Sequence, residues 1–272
     1  EKGKFPNFIT LDFYELGDGM AATNIINGID PLKLTEHEMN LKVFPNPFTN
    51  QLQITLDNFS VSDIKLFNSK GIAAFVLKYR MPQSKSIVVS HEAPLQDAQR
   101  ALRWVRKHAK NYNVNPNEIG VLGFSAGGHL ASTLGTQFDT PNNFKETSLD
   151  TISARPDFMV LVYPVVTMKD DYTHKGSQNK LLGKNSSEVL KHQYSNELQA
   201  NASTPPTFIV HSGDDKAVPV ENSLQLYKAL NDHGVKTEMH IYPYGGHGYS
   251  LAIGNGYLQT WVDRLLVWLN SL

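Results

Sequence analysis

Cysteine is absent from the chain, so neither a disulfide framework nor a thiolate metal site is available, and either a reducing or an oxidising compartment is compatible. An excess of positive charge is missing too: 25 Lys and Arg stand against 26 Asp and Glu, a formal net charge of −1. Nothing is left over to neutralise a phosphate backbone or an anionic membrane surface, so nucleic acid is not an expected partner. No apolar run reaches membrane-spanning length, and the chain opens at Glu1 without a basic-then-apolar leader. The expectation is a soluble chain, without membrane insertion, whose targeting peptide was removed or lay upstream.

The 272 residues suffice for one large α/β domain or for a medium domain with an attachment. From Ile72 onward, short apolar runs alternate with stretches of helical period, the pattern of a parallel sheet flanked by helices. Strands are predicted at 72–78, 119–122, 158–163, 207–211 and 237–242, nearly continuous in apolar residues, as strands covered on both faces must be. Leu95, Ala98, Leu102, Val105 and Ala109 form one helical stripe, and Leu258, Val262, Leu265, Leu266 and Leu269 another. Pro94 suits a first helical turn. Residues 164–204 lack sustained periodicity and read as a long excursion between strands, of the kind that shapes a substrate pocket. Residues 1–70 do not continue the alternation, so a boundary is expected near 70: an atypical segment over 1–40, a β-rich segment over 41–70, and the α/β domain over 71–272.

The segment Gly123-Phe124-Ser125-Ala126-Gly127 is a G-x-S-x-G match between an apolar strand and a helical run, the context of a nucleophile elbow. The turn holds the serine in a strained conformation, and side chains two residues to either side would collide with backbone. At a helix start, Ser125 also gains from the positive end of the helix dipole, and the Ala126 N–H is a candidate oxyanion donor.

A serine hydroxyl needs a base, and the base an orienting group. Asp214 and Asp215 follow the strand ending at His211, at the carboxyl edge where open α/β sheets place their sites. His247 lies among Gly245, Gly246 and Gly248 on the loop before the last helix. The order Ser, Asp, His along successive strands is that of a hydrolase triad. His129 is read as packing. Asp170, Asp171 and His174 have no ligand spacing, so no metal or cofactor is expected.

Four stretches carry a family resemblance: residues 67–82 (FNSKGIAAFVLKYRMP), 120–131 (GVLGFSAGGHLA), 204–223 (TPPTFIVHSGDDKAVPVENS) and 245–249 (GGHGY). Over about residues 66–272 the chain resembles bacterial α/β-hydrolase esterases of the acetylxylan-esterase-like group, with relatives among dienelactone hydrolases and prolyl oligopeptidases. The resemblance implies the α/β-hydrolase fold and deacylation of a small or carbohydrate ester through an acyl-enzyme. It makes Ser125 the nucleophile, His247 the base and Asp215, four residues before Pro219, the acid, and leaves Asp214 a capping or turn role. The excursion, including residues 173–176 and 181–183, would contribute to the acyl or sugar pocket. The implied alternatives are a serine peptidase of the prolyl-oligopeptidase type, for which the chain lacks a gating domain, and a degenerate hydrolase.

The degenerate reading rests on one departure. Such esterases carry, upstream of the strand at Ile72, a strand ending in a glycine cluster whose N–H is the second oxyanion donor. Here the nearest upstream glycines, Gly28 and Gly71, have no cluster around them. Residues 41–70 resemble instead a type IX secretion sorting domain, which implies a secreted or periplasmic protein, and residues 5–27 resemble the end of a phosphatidylinositol-specific phospholipase C barrel. The implied chain is a fusion of a secreted tail to an esterase without its first strands. Loss of one donor would cost about two to three orders of magnitude in rate.

Overall fold

The computed structural model describes residues 7–12, 67, 70–82, 90–141, 148–169 and 171–272. Among them, strands β1 (Asn7–Asp12), β2 (Ala74–Lys78), β3 (Ile119–Phe124), β4 (Met159–Val162), β5 (Thr207–Ser212) and β6 (Thr237–Tyr242) form one sheet in the order β2-β1-β3-β4-β5-β6. All five pairings are parallel. The helices are α1 (Ala93–Lys107), α2 (Ser125–Thr136), α3 (Lys175–Leu182), α4 (Glu188–Gln193), α5 (Glu221–Asp232) and α6 (Gly256–Leu269). None is long and apolar enough to cross a membrane.

The period of two along the strands explains the layering. Val121, Met159, Leu161 and Ile209 face a core closed by Leu95, Ala98, Leu102 and Val105 of α1, Leu130 and Leu134 of α2, and Leu226 and Leu230 of α5. Leu122, Phe124, Val160, Val162, Phe208 and Val210 face a second core, closed by Leu258, Trp261, Val262, Leu265, Trp268 and Leu269 of α6. With the sheet covered on both sides, β3, β4 and β5 are buried along their whole length. Each such Leu, Val or Phe contributes about 1.5 to 3 kcal/mol.

The predicted stripes are α1 with the short 3₁₀ turn after it and α6, and Pro94 sits in the first turn of α1. β6 has the predicted bounds, and the other predicted strands differ by one or two residues at their ends. The edge of β2 is tied to α1 by Arg80. Its Nε lies 3.0 Å from both Asp97 carboxylate oxygens, Nη2 lies 2.7 Å from Oδ1, and its backbone N–H donates to Oδ2 at 2.7 Å. This bidentate pair with an added backbone donor is geometrically specific.

Two features add to the sequence reading. The sheet crosses the boundary expected near 70: Asn7–Asp12 lies between β2 and β3, with Phe8 opposite Ala74 on one side and Gly120 on the other. The sheet therefore includes a strand from the 1–40 segment that reads as atypical in sequence. The reason is that a parallel strand is secured by ladder bonds to both neighbours, whatever its distance along the chain. Residues 164–204, the excursion between two strands, hold α3, α4 and a 3₁₀ turn at Asn196–Leu198. The sorting-domain-like stretch up to residue 66, most of the phospholipase-like stretch and Asp170 lie outside the described residues.

Candidate active site

Ser125 is the first residue of α2 and has φ +50°, a left-handed conformation that costs a non-glycine residue about 1 to 3 kcal/mol. The close turn that imposes it has no space for side chains: a methyl on Gly123 would sit 2.2 Å from the Gly127 carbonyl oxygen, and one on Gly128 2.7 Å from Pro164 Cβ. Ser125 and Ala126 open α2, where N–H groups have no intrahelical acceptor. The Ala126 N–H, in the first turn, thus has no acceptor within its own helix.

The structure brings Ser125, His247 and Asp215 together. Ser125 Oγ lies 2.8 Å from His247 Nε2, and His247 Nδ1 lies 2.6 Å from Asp215 Oδ2. Asp215 can only accept when ionised, so Nδ1 carries the imidazole hydrogen and Nε2 is the free base that accepts the serine hydroxyl. Burial alone would push the Asp215 carboxyl up, but hydrogen bonds from His211, His247 and the Val218 N–H hold it well below the usual carboxylate range. Its Oδ1 accepts the Ala217 and Val218 N–H groups, both at 2.9 Å. The Asp215 side chain is fully buried, whereas that of His247 keeps a quarter of its surface open.

Asp214, the neighbouring carboxylate, turns away to accept the Gly246 N–H at 2.8 Å. Ser212 Oγ donates to the Gly246 carbonyl. Both bonds bind the loop after β6 to the end of β5, and Gly246 and Gly248 have φ +60° and +83°, conformations that glycine adopts without strain. Beneath the imidazole, the Tyr163 ring meets His247 edge-on at 4.8 Å, and its hydroxyl accepts the Ser250 N–H at 3.0 Å.

Reading the sequence for site residues overlooks His211 and Tyr163. His211 is fully buried at the end of β5, with Nε2 3.0 Å from the Val218 carbonyl and 3.3 Å from Asp215 Oδ2, and with Nδ1 2.7 Å from Ser223 Oγ. It braces the acid. The available signal was a histidine ending an otherwise apolar strand.

An apolar cleft opens beside Ala126, lined by Met81, Leu95, Leu130, Met168, Leu181 and Tyr194 among others, with Lys180 at its wall. Leu181 comes from the excursion expected to shape a pocket. The excursion is held down by buried polar side chains: Asn222 Oδ1 accepts the N–H groups of Val166 and Thr167, and Asn196 Nδ2 donates to His129 O and Ser132 Oγ. His129 lies on α2 with its Nε2 2.8 Å from the Tyr194 carbonyl. Burial lowers its pKa to about 4, against the opposing effect of that bond, so the ring is neutral and serves packing. Among the described residues no cluster of three or more metal-ligating side chains occurs. Residues 41–66, the place upstream of Ile72 where the family resemblance looks for the second oxyanion donor, lie outside the described residues.

Known proteins share this fold. An acetyl ester-xyloside bifunctional hydrolase from Caldicellulosiruptor lactoaceticus superposes with a TM-score of 0.74 at 38% identity, covering 100% of this chain and 84% of that one. A carboxylesterase from Lactobacillus plantarum superposes at 0.71 with 19% identity, over 98% and 86% of the two chains, and shows the shared α/β-hydrolase fold. An acetylxylan esterase from Xylanibacter ruminicola is 34% identical over 227 residues, 82% of this chain and 43% of its own length. Endo-1,4-beta-xylanase B from Butyrivibrio fibrisolvens is 38% identical over 186 residues, 68% of this chain and 29% of its own. The chain thus spans less than half the length of these two relatives. A family model described as BD-FAE matches residues 48–230, more than half of the chain and a stretch that includes Ser125 and Asp215, so the chain belongs to the BD-FAE family.

Proposed function

We propose that the protein is a serine carboxylesterase that removes acetyl or other short acyl groups from a carbohydrate ester. The observation that carries this reading is the unbroken chain of hydrogen bonds Ser125–His247–Asp215 at 2.8 and 2.6 Å. In it, the Ser125 hydroxyl gives its proton to His247 Nε2 as Oγ attacks the ester carbonyl, and Asp215 stabilises the imidazolium that forms. The tetrahedral oxyanion gathers at the N-terminus of α2, where the Ala126 N–H is one donor. Collapse expels the sugar alcohol, which takes the proton from Nε2 and leaves an acyl-serine. Water, deprotonated by the same nitrogen, then releases the carboxylic acid. The relatives named as an acetylxylan esterase and an acetyl ester-xyloside hydrolase support a carbohydrate ester as the substrate.

The test is acetate release from acetylated xylo-oligosaccharides beside cleavage of a peptide 4-nitroanilide. Acetate release with the anilide untouched is the expected result. Anilide cleavage without acetate release would establish a peptidase instead, and inertness to both would establish a degenerate hydrolase.

A further inference from the structure

His211 takes no part in the proton transfers above, yet it is fully buried near the carboxyl end of β5. An imidazole taken out of water is costly unless its nitrogens are satisfied, and here both are. The two groups facing Nε2, the Val218 carbonyl at 3.0 Å and Asp215 Oδ2 at 3.3 Å, can only accept, so Nε2 carries a hydrogen whatever the charge of the ring. On the other side Nδ1 meets Ser223 Oγ of α5 at 2.7 Å, a hydroxyl buried as deeply, which holds the ring in that orientation.

His211 therefore has two holds on the acid. Its N–H lies beside Oδ2, the same oxygen that accepts His247 Nδ1–H at 2.6 Å. It also grips the Val218 carbonyl while the Val218 N–H donates to Oδ1 at 2.9 Å, so the turn that supplies the acid with backbone donors is closed by the same ring. Away from water these dipoles act at low dielectric. Donors compete for the charge of one carboxylate: the more of it His211 draws, the less is left at Oδ2 to hold an imidazolium. We propose that His211 is a positioning residue that, through Nε2–H, fixes Asp215 Oδ2 against His247 and moderates its pull on the protonated base. This rests on the esterase reading above. The other titratable groups around the base are Tyr163 at the end of β4, Tyr249 on the base's own loop and, at longer range, His174 at the start of α3, while Asp214 is turned to the Gly246 N–H. Substitution of His211 leaves all of them in place.

The test is the pH profile of kcat and KM for 4-nitrophenyl acetate in wild type, His211→Leu, His211→Asn and His211→Gln, with folding of each verified by circular dichroism. Glutamine is long enough to place an N–H where Nε2 stands, whereas leucine has no donor and asparagine reaches only as far as Nδ1. In the leucine and asparagine variants the acid limb of kcat/KM should move up by about half a pH unit, roughly a threefold change in the ionisation constant behind it. Their kcat should fall about tenfold with KM unchanged, and glutamine should restore both limb and rate toward wild type. Either folded donorless variant decides: an acid limb that stays in place or moves down overturns the proposal, however far the rate falls, and so does a glutamine variant that behaves like the other two. No turnover from folded wild type would instead sink the esterase reading itself, and this inference with it.

Discussion

Asp214 and Gly246 meet through a 2.8 Å hydrogen bond, carboxylate oxygen to N–H, one residue before Asp215 on one loop and one residue before His247 on the other. Two adjacent carboxylates therefore do separate work. Asp214 fixes where the base loop sits, and Asp215 fixes how the base is oriented. Asp215→Asn should lower kcat by about three to four orders of magnitude through loss of the correct imidazole orientation and tautomer. Asp214→Ala should lower it by only about tenfold, the scale of one hydrogen bond to a charged group. Steady-state kinetics of the two variants decide the assignment, and equal losses would refute the division.

Gly123→Ala places a methyl 2.2 Å from the Gly127 carbonyl oxygen, backbone that cannot give way without moving Ser125. Overpacking of this kind costs about 1 to 3 kcal/mol, or roughly 2 to 12 °C in Tm for a domain of this size, and activity should fall further than stability does. Thermal unfolding followed by circular dichroism, paired with an esterase assay, checks both. A variant with wild-type Tm and turnover would contradict the tight-elbow account.

The legible parts of the fold were those with a strong period. The Leu95–Val105 stripe and the strand at 237–242 recur in the structure as α1 and β6, because burial on one helix face or between two layers writes itself into the order of residues. β1 was not legible as part of this sheet. Its six residues are paired by backbone ladders to strands far along the chain, and ladder bonds leave no mark on side-chain order. α3 and α4, at eight and six residues, are too short to show a stripe; Leu181, Leu182 and Leu190 pack against Val165, Met168, Tyr194 and Val218, and Gln178 and Ser195 add hydrogen bonds to the Met168 and Lys191 carbonyls. That Ser125, Asp215 and His247 would meet was readable because strand, turn and glycine context accompanied each. His211, Tyr163 and the clamp formed by Asp214 were not, since their work depends on neighbours brought in by the fold.

Stability should depend on His129 in mildly acidic solution. Its pKa is about 4 in the folded protein and about 6.5 in an unfolded chain, so between those values the unfolded chain binds the extra proton. Stability is then unpenalised above about pH 6.5 and falls as the pH drops toward 4, by up to about 1.4 kcal/mol per pH unit for one proton. Asp215, held below the usual carboxylate range, contributes stability that is present above about pH 3.9 and is lost only as the pH falls through its lower folded value. Urea unfolding at a series of pH values between 4.5 and 7.5 should give a shallower slope for His129→Gln than for wild type. Parallel slopes would mean that His129 is not buried neutral.

The central claim is that Ser125, activated by His247, is the attacking group. It is tested most directly by hydrolysis of 4-nitrophenyl acetate near neutral pH by wild type and Ser125→Ala, with folding of both verified. Turnover by wild type that falls to the background rate in the variant is the predicted result, and it would also show that the chain assembles enough of an oxyanion site to work. Turnover retained by Ser125→Ala, or none from folded wild type, would contradict the account.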